Sequence, residues 1–386
     1  MKRMFLLLAV VLLTLLAVYF SWAWTGRARE QVYGWSAPPM SKAQFEHIRL
    51  GTDAGKGRLI GIQPYLTSYS YSTVYNLETT LRFYFDQLRR EDMLPPDAVV
   101  VLPEYTGTWL VTTNEKTNLY QAADLQTAMR TLIASNLPAF AWHWWKAPAP
   151  DPMQYALFSL KAKRMARQYQ SLFSRLARDY RCTIVAGSIV LPDAWLDTAG
   201  DLRIRSGSPL YNTTAVFGPE GCILPPLVKK MYPTAEEQAF TAAAPPGAAP
   251  VFRTPAGRMG VLICADSWYP DAYLRLQQQA DFVVVPSLAG TDSVWMAPWK
   301  GYSGFAAPAD VDPTDPGRIP EGVAWEKYSM GTRAPRSNIH QGLNVFFTGN
   351  LWELRPEGRA LVLQIDSLQE LPPALARGRI ITVYLN

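Results

Sequence analysis

The chain has 386 residues, enough for one large domain or two smaller ones. Its 48% hydrophobic and 18% charged residues are typical of a globular protein, and the formal net charge is only +5. Basic residues are scattered outside residues 161–181, so nucleic-acid binding is not expected. The three cysteines and three histidines fit no metal-binding spacing, so no metal site is expected either.

The N-terminus carries an uncharged, apolar run over residues 5–24. As a helix rising about 1.5 Å per residue, this run spans about 30 Å, the thickness of a bilayer core. A cleavable signal peptide is the alternative, but its apolar core is shorter and ends in small residues, whereas this run ends in bulky aromatic ones. Residues 1–25 are therefore predicted to form an uncleaved, single-pass transmembrane anchor.

The charges flanking this run favour one orientation. Lys2, Arg3 and the free amine precede it, whereas Arg27 and Arg29 follow it and are partly offset by Glu30. This balance favours a cytoplasmic N-terminus and a domain on the extracytoplasmic, periplasmic side. Residues 26–57, with several glycines, prolines and polar turns, are predicted to form a linker.

From residue 58 onward, apolar strands and amphipathic helices alternate, which predicts one α/β domain over residues 58–386. The predicted strands are 59–63, 97–104, 183–190, 211–217, 259–263, 282–286, 343–348 and 361–365. The predicted helices are 72–90, 122–134, a longer one closing at 171–180, and 271–279.

Three stretches place reactive side chains just after apolar segments. Cys264 ends a predicted strand and turns towards a predicted helix, whose positive end would favour a thiolate. Glu104 directly follows another strand, at the carboxyl end of a sheet, where open α/β folds place ligands. Lys229 and Lys230 follow a predicted hairpin. Taken singly, these features also fit a buried thiol, an exposed strand end and a solvated lysine pair.

Together, in this chain order, the three stretches resemble the nitrilase, or carbon–nitrogen hydrolase, superfamily over about residues 58–386. Residues 176–188, 212–221, 280–287 and 331–338 resemble further segments of that family, with Ser337 where Glu is usual. The resemblance implies an α/β fold, a four-layer α-β-β-α sandwich, preceded here by one transmembrane helix. It implies no metal and no organic cofactor. Because family members commonly dimerise through outer-layer helices, a homodimer would suit this domain.

The resemblance also implies a role for each site residue. Cys264 would attack the substrate carbon, and Glu104 would act as general base and acid. Lys230 would stay cationic and stabilise the oxyanion with the Ala265 backbone N–H. Lys230 is favoured over Lys229 because residues 230–237 resemble the Lys-Leu-x-Pro-Thr-x-x-Glu of nitrilases, in which Glu237 is the supporting carboxylate.

The motifs conflict on the branch of the superfamily. Nitrilases usually carry Cys-Trp-Glu, whereas Cys264-Ala-Asp266 is nearer the Cys-Tyr-Asp of amidases and carbamoylases. We therefore expect a membrane-anchored hydrolase of non-peptide, amide-type carbon–nitrogen bonds that works through a thioester on a small-molecule or lipid-linked substrate. The alternatives are a true nitrilase, an N-acyltransferase resembling apolipoprotein N-acyltransferase, and an inactive scaffold.

Two insertions depart from the branches of the superfamily. Residues 140–146 cluster three tryptophans, which fits core or loop packing, contact with a membrane surface, or an apolar substrate pocket. Residues 295–321 form a long segment rich in proline, glycine and aspartate. Loops of this length are usually functional or disordered, and the position of this one leads to the hypothesis that it acts as an active-site lid.

Overall fold

The computed structural model describes residues 2–29, 45–290, 293–365, 367–374 and 378–386. The helices in this part of the chain are α1 (Lys2–Trp24), α2 (Val74–Arg90), α3 (Thr117–Tyr120), α4 (Leu125–Ser135), α5 (Leu137–Trp145), α6 (Pro152–Ser159), α7 (Ala162–Tyr180), α8 (Ala235–Gln238), α9 (Glu321–Tyr328) and α10 (Met330–Arg336). The strands are β1 (Phe45–Leu50), β2 (Arg58–Gln63), β3 (Tyr65–Thr67), β4 (Ala98–Val101), β5 (Thr183–Val185), β6 (Ile189–Pro192), β7 (Ala194–Leu196), β8 (Leu202–Ile204), β9 (Leu210–Phe217), β10 (Ile223–Lys229), β11 (Val251–Thr254), β12 (Gly257–Val261), β13 (Phe282–Ser287), β14 (Gln341–Phe346), β15 (Thr348–Asn350), β16 (Leu361–Gln364), β17 (Ser367–Glu370) and β18 (Gly378–Tyr384).

Helix α1 is the predicted apolar N-terminal helix, and its length of 23 residues is enough to cross a bilayer. Within the described ranges it is the one helix that meets this criterion. Its side chains are exposed along nearly the whole length, and Ala23 near its end is buried. The prediction of a membrane-spanning length of apolar helix is therefore confirmed.

The larger sheet has the strand order β1-β18-β2-β4-β5-β9-β10, with β6 also paired to β9. Its centre, β2-β4-β5, is parallel and buried, as the continuous apolar runs predict. Strand β1 lies inside the segment predicted as a linker and pairs in parallel with β18 at the sheet edge. None of its side chains is fully buried, because a strand at the edge of a sheet is only partly shielded from solvent. Its sequence therefore mixes polar and apolar residues and lacks the continuous apolar run that predicts the central strands.

The smaller sheet has the order β11-β12-β13-β14-β16-β17 and packs face to face on the larger one. Apolar side chains from both sheets, among them Val99 and Val261, form one continuous core. The sheets approach so closely at Gly61 that a Cβ there would lie 2.9 Å from Val345 Cγ2. Glycine is therefore the residue that this contact accommodates.

Helices cover the outer face of each sheet. Helices α2 and α7 are amphipathic and bury one face, including Phe85 and Phe173, against the larger sheet. The Thr73 side chain caps α2 by accepting from the Asn76 N–H over 3.1 Å. Helices α9 and α10 pack on the smaller sheet. The result is the four-layer α-β-β-α sandwich that the resemblance implied.

Two local predictions were wrong. The helix expected at 271–279 is replaced by a short 3₁₀ turn at Pro270–Tyr273 followed by further turns, and Gln278 has a φ of +60°, which a right-handed helix does not allow. The strand expected at 183–190 is two strands, β5 and β6, separated at Gly187. Gly187 has φ +65° and passes so close to the Pro103 carbonyl that no side chain would fit.

Candidate active site

The three predicted catalytic residues come together where strands of the two sheets end. Glu104 follows β4, Lys230 follows β10, and Cys264 follows β12, each within three residues of the strand end. Tyr105 and Cys264 have φ values of +62° and +49°, a conformation that side-chain-bearing residues rarely adopt. Such strained backbone is typical of functional sites, where surrounding contacts hold it in place.

Lys230 forms the centre of the cluster. Its ammonium Nζ lies 2.8 Å from Glu104 Oε1 and 2.7 Å from Glu237 Oε2. The Lys230 side chain is 2% exposed, and Glu104 and Glu237 are buried with it. Charge-assisted hydrogen bonds to two buried carboxylates hold the ammonium firmly in place. When all three groups are ionised, the net charge of Glu104, Lys230 and Glu237 together is negative.

Lys229 lies outside this cluster. Its Nζ pairs with Asp193 at 2.5 Å and lies over the Tyr211 ring, 4.6 Å from its centroid. The two lysines diverge because Lys229 ends strand β10, and successive side chains of a strand point to opposite faces. Of the two, the structure thus brings Lys230 to Glu104, in the register that the Lys-Leu-x-Pro-Thr-x-x-Glu pattern indicated.

Glu237 is held by the local fold of a short helix. It is the third residue of α8, and its Oε2 accepts from the Thr234 N–H over 2.8 Å, while the Thr234 hydroxyl accepts from the Glu237 N–H. This reciprocal capping box fixes the carboxylate against the helix start. Its other oxygen, Oε1, accepts from the Tyr105 hydroxyl, so both oxygens are bound.

Asn212 was not identified from the sequence as a site residue, although it opens the predicted hairpin strand. Its side-chain amide donates to Glu104 Oε1 over 2.8 Å and to Glu237 Oε1 over 3.2 Å, and therefore joins the two carboxylates. The other oxygen of Glu104, Oε2, accepts a hydrogen bond from the Leu288 backbone N–H over 3.0 Å. An asparagine on an apolar strand, 108 residues from its partner, offers no sequence pattern that would have revealed this contact.

Cys264 is buried beside this cluster, and its thiol donates to the Leu288 carbonyl over 3.6 Å. Burial and the negative charge of Glu104 raise the pKa of Cys264 well above its ordinary value, and the opposing attraction of Lys230 does not cancel this rise. At neutral pH the resting residue is therefore a thiol. The expectation of a thiolate favoured by a helix end is wrong, since a 3₁₀ turn stands in place of that helix.

The charged groups in the cluster shift one another's pKa values. Burial raises the pKa of Glu104, and Lys230 and the Cys264 thiol only partly counter this rise. Burial also acts to raise the pKa of Glu237, but the attraction of Lys230 outweighs it and lowers that pKa. Burial alone would lower the pKa of Lys230, but the two carboxylates raise it well above its usual range. Lys230 thus stays cationic, and Glu104 is the more basic carboxylate.

Asp266 connects the cysteine turn to the lysine loop. It is fully buried, its Oδ1 accepts from the Met231 and Tyr232 N–H groups over 2.8 Å each, and its Oδ2 accepts from the Ile263 N–H over 3.2 Å. These bonds fix the segment that follows Lys230 against the turn that carries the thiol. Asp266 is therefore a positioning residue, whereas the sequence alone marks it only as part of the Cys-x-Asp pattern.

Ala265 was predicted to supply an oxyanion donor from its backbone. It is half-buried, directly beside Cys264, and its N–H has no hydrogen-bond acceptor among the residues that the structure describes. An N–H with no acceptor beside the nucleophile is what an oxyanion site requires. In the same part of the chain, no group of three His, Cys, Asp or Glu side chains could hold a metal ion.

The long segment 295–321 packs against the elements that carry Cys264 and Lys230. The Tyr302 hydroxyl donates to the Trp268 carbonyl over 3.2 Å, and the Gln238 side chain donates to the Gly304 carbonyl over 2.8 Å. Phe305 lies edge-on to the ring of Tyr232 at 5.2 Å. The segment thus forms an aromatic wall beside the site, while its movement as a lid stays a prediction.

Comparisons with known proteins bear on the family and the fold of the chain. The model of the family described as carbon-nitrogen hydrolase matches residues 96–305. No curated protein matches the chain. Among solved structures, an amidase from Nesterenkonia sp. shares 13% identity with a TM-score of 0.52, covering 86% of this chain and 90% of the amidase. A mutant of the Nesterenkonia sp. AN1 amidase, with acrylamide added at the active-site cysteine, shares 12% identity with a TM-score of 0.51, covering 86% and 93%.

At such low identity the amidase structures show the fold, which is the same mixed α/β sandwich. The family model adds sequence evidence, because its match includes the strand before Glu104, the loop of Lys230 and the turn of Cys264. That match spans more than half of the 386 residues. The chain therefore belongs to the carbon–nitrogen hydrolase family.

Proposed function

We propose that the protein is a membrane-anchored hydrolase of non-peptide, amide-type carbon–nitrogen bonds, with Cys264 as nucleophile, Glu104 as general base and acid, and Lys230 as the cation of the site. The observation that carries this proposal is the position of the Lys230 ammonium, 2.8 Å from Glu104 and 2.7 Å from Glu237 in a buried site beside the Cys264 thiol. An inactive scaffold would have no need of two carboxylates and a cation buried together at such a desolvation cost.

The first step is attack of Cys264 on the amide carbonyl carbon. Because the resting residue is a thiol, its proton passes to Glu104 as the sulfur–carbon bond forms. The carbonyl π-electrons move to oxygen and create an oxyanion. The Lys230 cation and the Ala265 N–H stabilise this charge, which is larger in the transition state than in the bound substrate.

The second step breaks the carbon–nitrogen bond. Glu104 returns its proton to the nitrogen, the amine leaves, and the acyl group remains on Cys264 as a thioester. Water then attacks the thioester carbon while Glu104 takes one of its protons. Collapse of this second oxyanion releases the acid, and the proton returns from Glu104 to the sulfur. Glu237, with Asn212 and Tyr105, keeps Lys230 in place throughout.

Acyl transfer is a second candidate, because one observation favours it. Helix α1 is long and apolar enough to hold the domain at a membrane, where lipid-linked acyl groups and amines are available. The same thioester would form, and an amine in place of water would accept the acyl group. Amide hydrolysis is the leading proposal because Cys264-Ala-Asp266 is nearer the amidase pattern and the structural neighbours named above are amidases.

The test is intact-mass analysis of the protein after incubation with acrylamide, fluoroacetamide, simple amides, nitriles and a phospholipid. Mutants of the similar Nesterenkonia sp. AN1 amidase carry cysteine adducts formed from the first two reagents, which makes these reagents suitable probes. The exposed Cys222 is first replaced with serine so that it does not react. An adduct lost in Cys264→Ala but kept in Cys182→Ala is expected, since Cys182 is buried away from the cluster and burial raises its pKa to about 12.

The outcomes separate the candidates. Turnover of an amide with release of the amine supports hydrolysis, whereas an acyl-enzyme formed from phospholipid alone supports acyl transfer. An unchanged adduct in Cys264→Ala would refute Cys264 as nucleophile.

The proposed extracytoplasmic side is tested separately, because a membrane-impermeant thiol reagent added to intact cells reaches the exposed Cys222 if the domain lies outside. Protection of Cys222 until the membrane is permeabilised would reverse the orientation.

A further inference from the structure

Helix α5 is a short helix with an unusual surface. Its nine residues are nearly all apolar, and none of them is buried. Trp142, Trp144 and Trp145 are 54%, 53% and 74% exposed. A helix that is apolar on all sides is ordinarily buried in a core or in lipid. The interpretation of this tryptophan cluster as core packing is therefore wrong, and the helix requires a cover outside the domain.

The position of α5 beside α1 indicates what this cover is. The Tyr19 hydroxyl donates to the Ala134 carbonyl over 3.1 Å and accepts from the Leu137 N–H over 2.9 Å. Tyr19 lies five residues before the end of α1, or about 8 Å along the helix axis. Helix α5 therefore begins level with the last turns of α1. In a membrane-spanning helix, this is the level at which tryptophan and tyrosine meet the lipid headgroups.

The end of α1 is firmly attached to the domain. Arg27 pairs with the fully buried Glu115 at 3.1 Å and donates to the Ser135 carbonyl over 2.9 Å. The Lys116 ammonium donates to the carbonyls of Trp22 and Thr25 over 2.7 and 2.6 Å, capping the helix C-terminus. The segment after the helix also pairs with the chain at Lys116 through a β-bridge. These contacts hold α5 next to α1 rather than at the end of a free linker.

A basic groove lies next to α5. It has a volume of about 490 Å³ and is lined on one side by Trp142 and His143 and on the other by the start of α7, including Lys163, Arg164 and Arg167. Lys161 in this groove is already paired with Glu115. Across the described ranges of the chain, no carboxylate forms an ion pair with any of the other three cations, which are exposed. The groove thus presents unneutralised positive charge beside exposed tryptophans.

We propose that α5 lies in the headgroup layer of the membrane that α1 spans, and that the basic groove beside it binds anionic lipid headgroups. This inference rests on the proposed membrane anchor. Tryptophans in the interface bury their apolar rings while their indole N–H groups stay hydrated, and clustered basic residues attract anionic lipids. The combination of aromatic and basic residues on one face is that of an interfacial helix.

Docking of α5 would also set the height of the active site above the membrane. The chain continues from α5 into α6, whose Phe158 stacks on Phe240 with ring centroids 5.1 Å apart. The Asp151 N–H donates to the Ala239 carbonyl over 2.8 Å. Phe240 and Ala239 follow α8, which carries Glu237, so α6 packs directly behind the candidate active site.

The test places a spin label on α5 in the full-length protein, reconstituted in lipid nanodiscs. In a Cys222→Ser background, Trp144→Cys is compared with Leu274→Cys, an exposed apolar position on the outer side of the smaller sheet. The parent without an introduced cysteine provides the blank. We expect a several-fold higher ratio of oxygen to nickel-chelate accessibility at position 144 than at position 274. Equal ratios in discs that contain the protein would overturn this inference alone and would indicate a protein cover or none. Failure of the protein to enter discs would overturn the anchor as well.

The headgroup site is tested by lipid composition. We expect the label at position 144 to lie deeper in discs containing phosphatidylglycerol than in discs of phosphatidylcholine alone. The double substitution Lys163→Gln/Arg167→Gln should remove this difference, whereas Arg253→Gln/Arg318→Gln, which removes the same charge from exposed positions elsewhere, should retain it. The same depth in both lipids, or an equal effect of the two double substitutions, would overturn the headgroup site.

Discussion

Replacing Lys230 with methionine tests the buried charge cluster directly. The substitution keeps an apolar side chain of similar length but removes the cation that lies 2.8 and 2.7 Å from Glu104 and Glu237. Two like charges about 5 Å apart repel by roughly 3 kcal/mol at an effective dielectric constant of about 20. Removing one partner of a buried ion pair costs about 3–5 kcal/mol. We therefore expect Lys230→Met to lower the free energy of unfolding by about 3–5 kcal/mol at pH 8.

Lys229→Met is the matched control, because it removes the same charge from the neighbouring residue. Lys229 pairs with Asp193, and their side chains are 25% and 19% exposed. Pairs that water reaches contribute no more than about 1 kcal/mol. Lys229→Met is therefore expected to change stability by less than about 1 kcal/mol.

The effect of Lys230→Met should depend on pH in a defined direction. Burial acts to raise the pKa of Glu237, but Lys230 outweighs it and holds that pKa below its usual value. In the native protein, Glu237 therefore contributes stability above the ordinary carboxyl pKa, and this contribution is lost as the pH falls. Without Lys230, burial raises the pKa values of both carboxylates in the folded state, so folding takes up protons and is favoured as the pH falls. The loss of unfolding free energy caused by Lys230→Met should therefore be smaller at pH 5 than at pH 8.

Urea unfolding in detergent, followed by tryptophan fluorescence, measures these differences. The rate at which fluoroacetamide modifies Cys264 gives a second readout, and it should fall in Lys230→Met because Lys230 acts to lower the pKa of the thiol. Equal stability of Lys230→Met and the native protein at pH 8 would refute the charge-cluster argument. A greater loss of modification rate in Lys229→Met than in Lys230→Met would indicate that Lys229 is the lysine of the active site.

Three further predictions concern the thiol, the turn beside it and the sheet packing. Because burial raises the pKa of Cys264, its modification rate should keep rising to pH 9, and a plateau below pH 7 would indicate a stored thiolate. Asp266→Ala leaves three buried N–H groups without acceptors, so urea unfolding should show a loss of at least about 1–3 kcal/mol, and an unchanged midpoint would contradict the positioning role. Gly61→Ala should cost about 1–3 kcal/mol by forcing the sheets apart. Gly290→Ala is its control, because among the described residues outside its immediate chain neighbours the nearest atom to an added Cβ lies 3.7 Å away, and equal melting temperatures of the two variants would refute the close packing.

The sequence by itself determined much of the fold and pointed to Glu104, Lys230 and Cys264, which the structure brings together at the candidate site. Buried central strands such as β4 and β13 need continuous apolar runs, so their positions could be predicted to within a few residues. Glu104 and Cys264 stand at the ends of such runs, where the chain pattern marks them. Lys230 could be favoured over Lys229 because residues 230–237 resemble a nitrilase pattern that ends in Glu237, and the structure brings Lys230 to Glu104 and Glu237.

Only the tertiary structure decided the features that depend on contacts between distant segments. Asn212 joins two carboxylates that lie 108 and 25 residues away in sequence, and no local pattern encodes such a contact. The protonation of Cys264 was mispredicted because it depends on burial and on neighbouring charges, which the order of residues does not contain. The tryptophan cluster of α5 left core packing and surface exposure open in the sequence, and the structure excludes core packing because none of the nine residues is buried. Local periodicity thus fixes which segments must be buried, whereas the packing of segments far apart in the chain fixes charge, exposure and the geometry of the site.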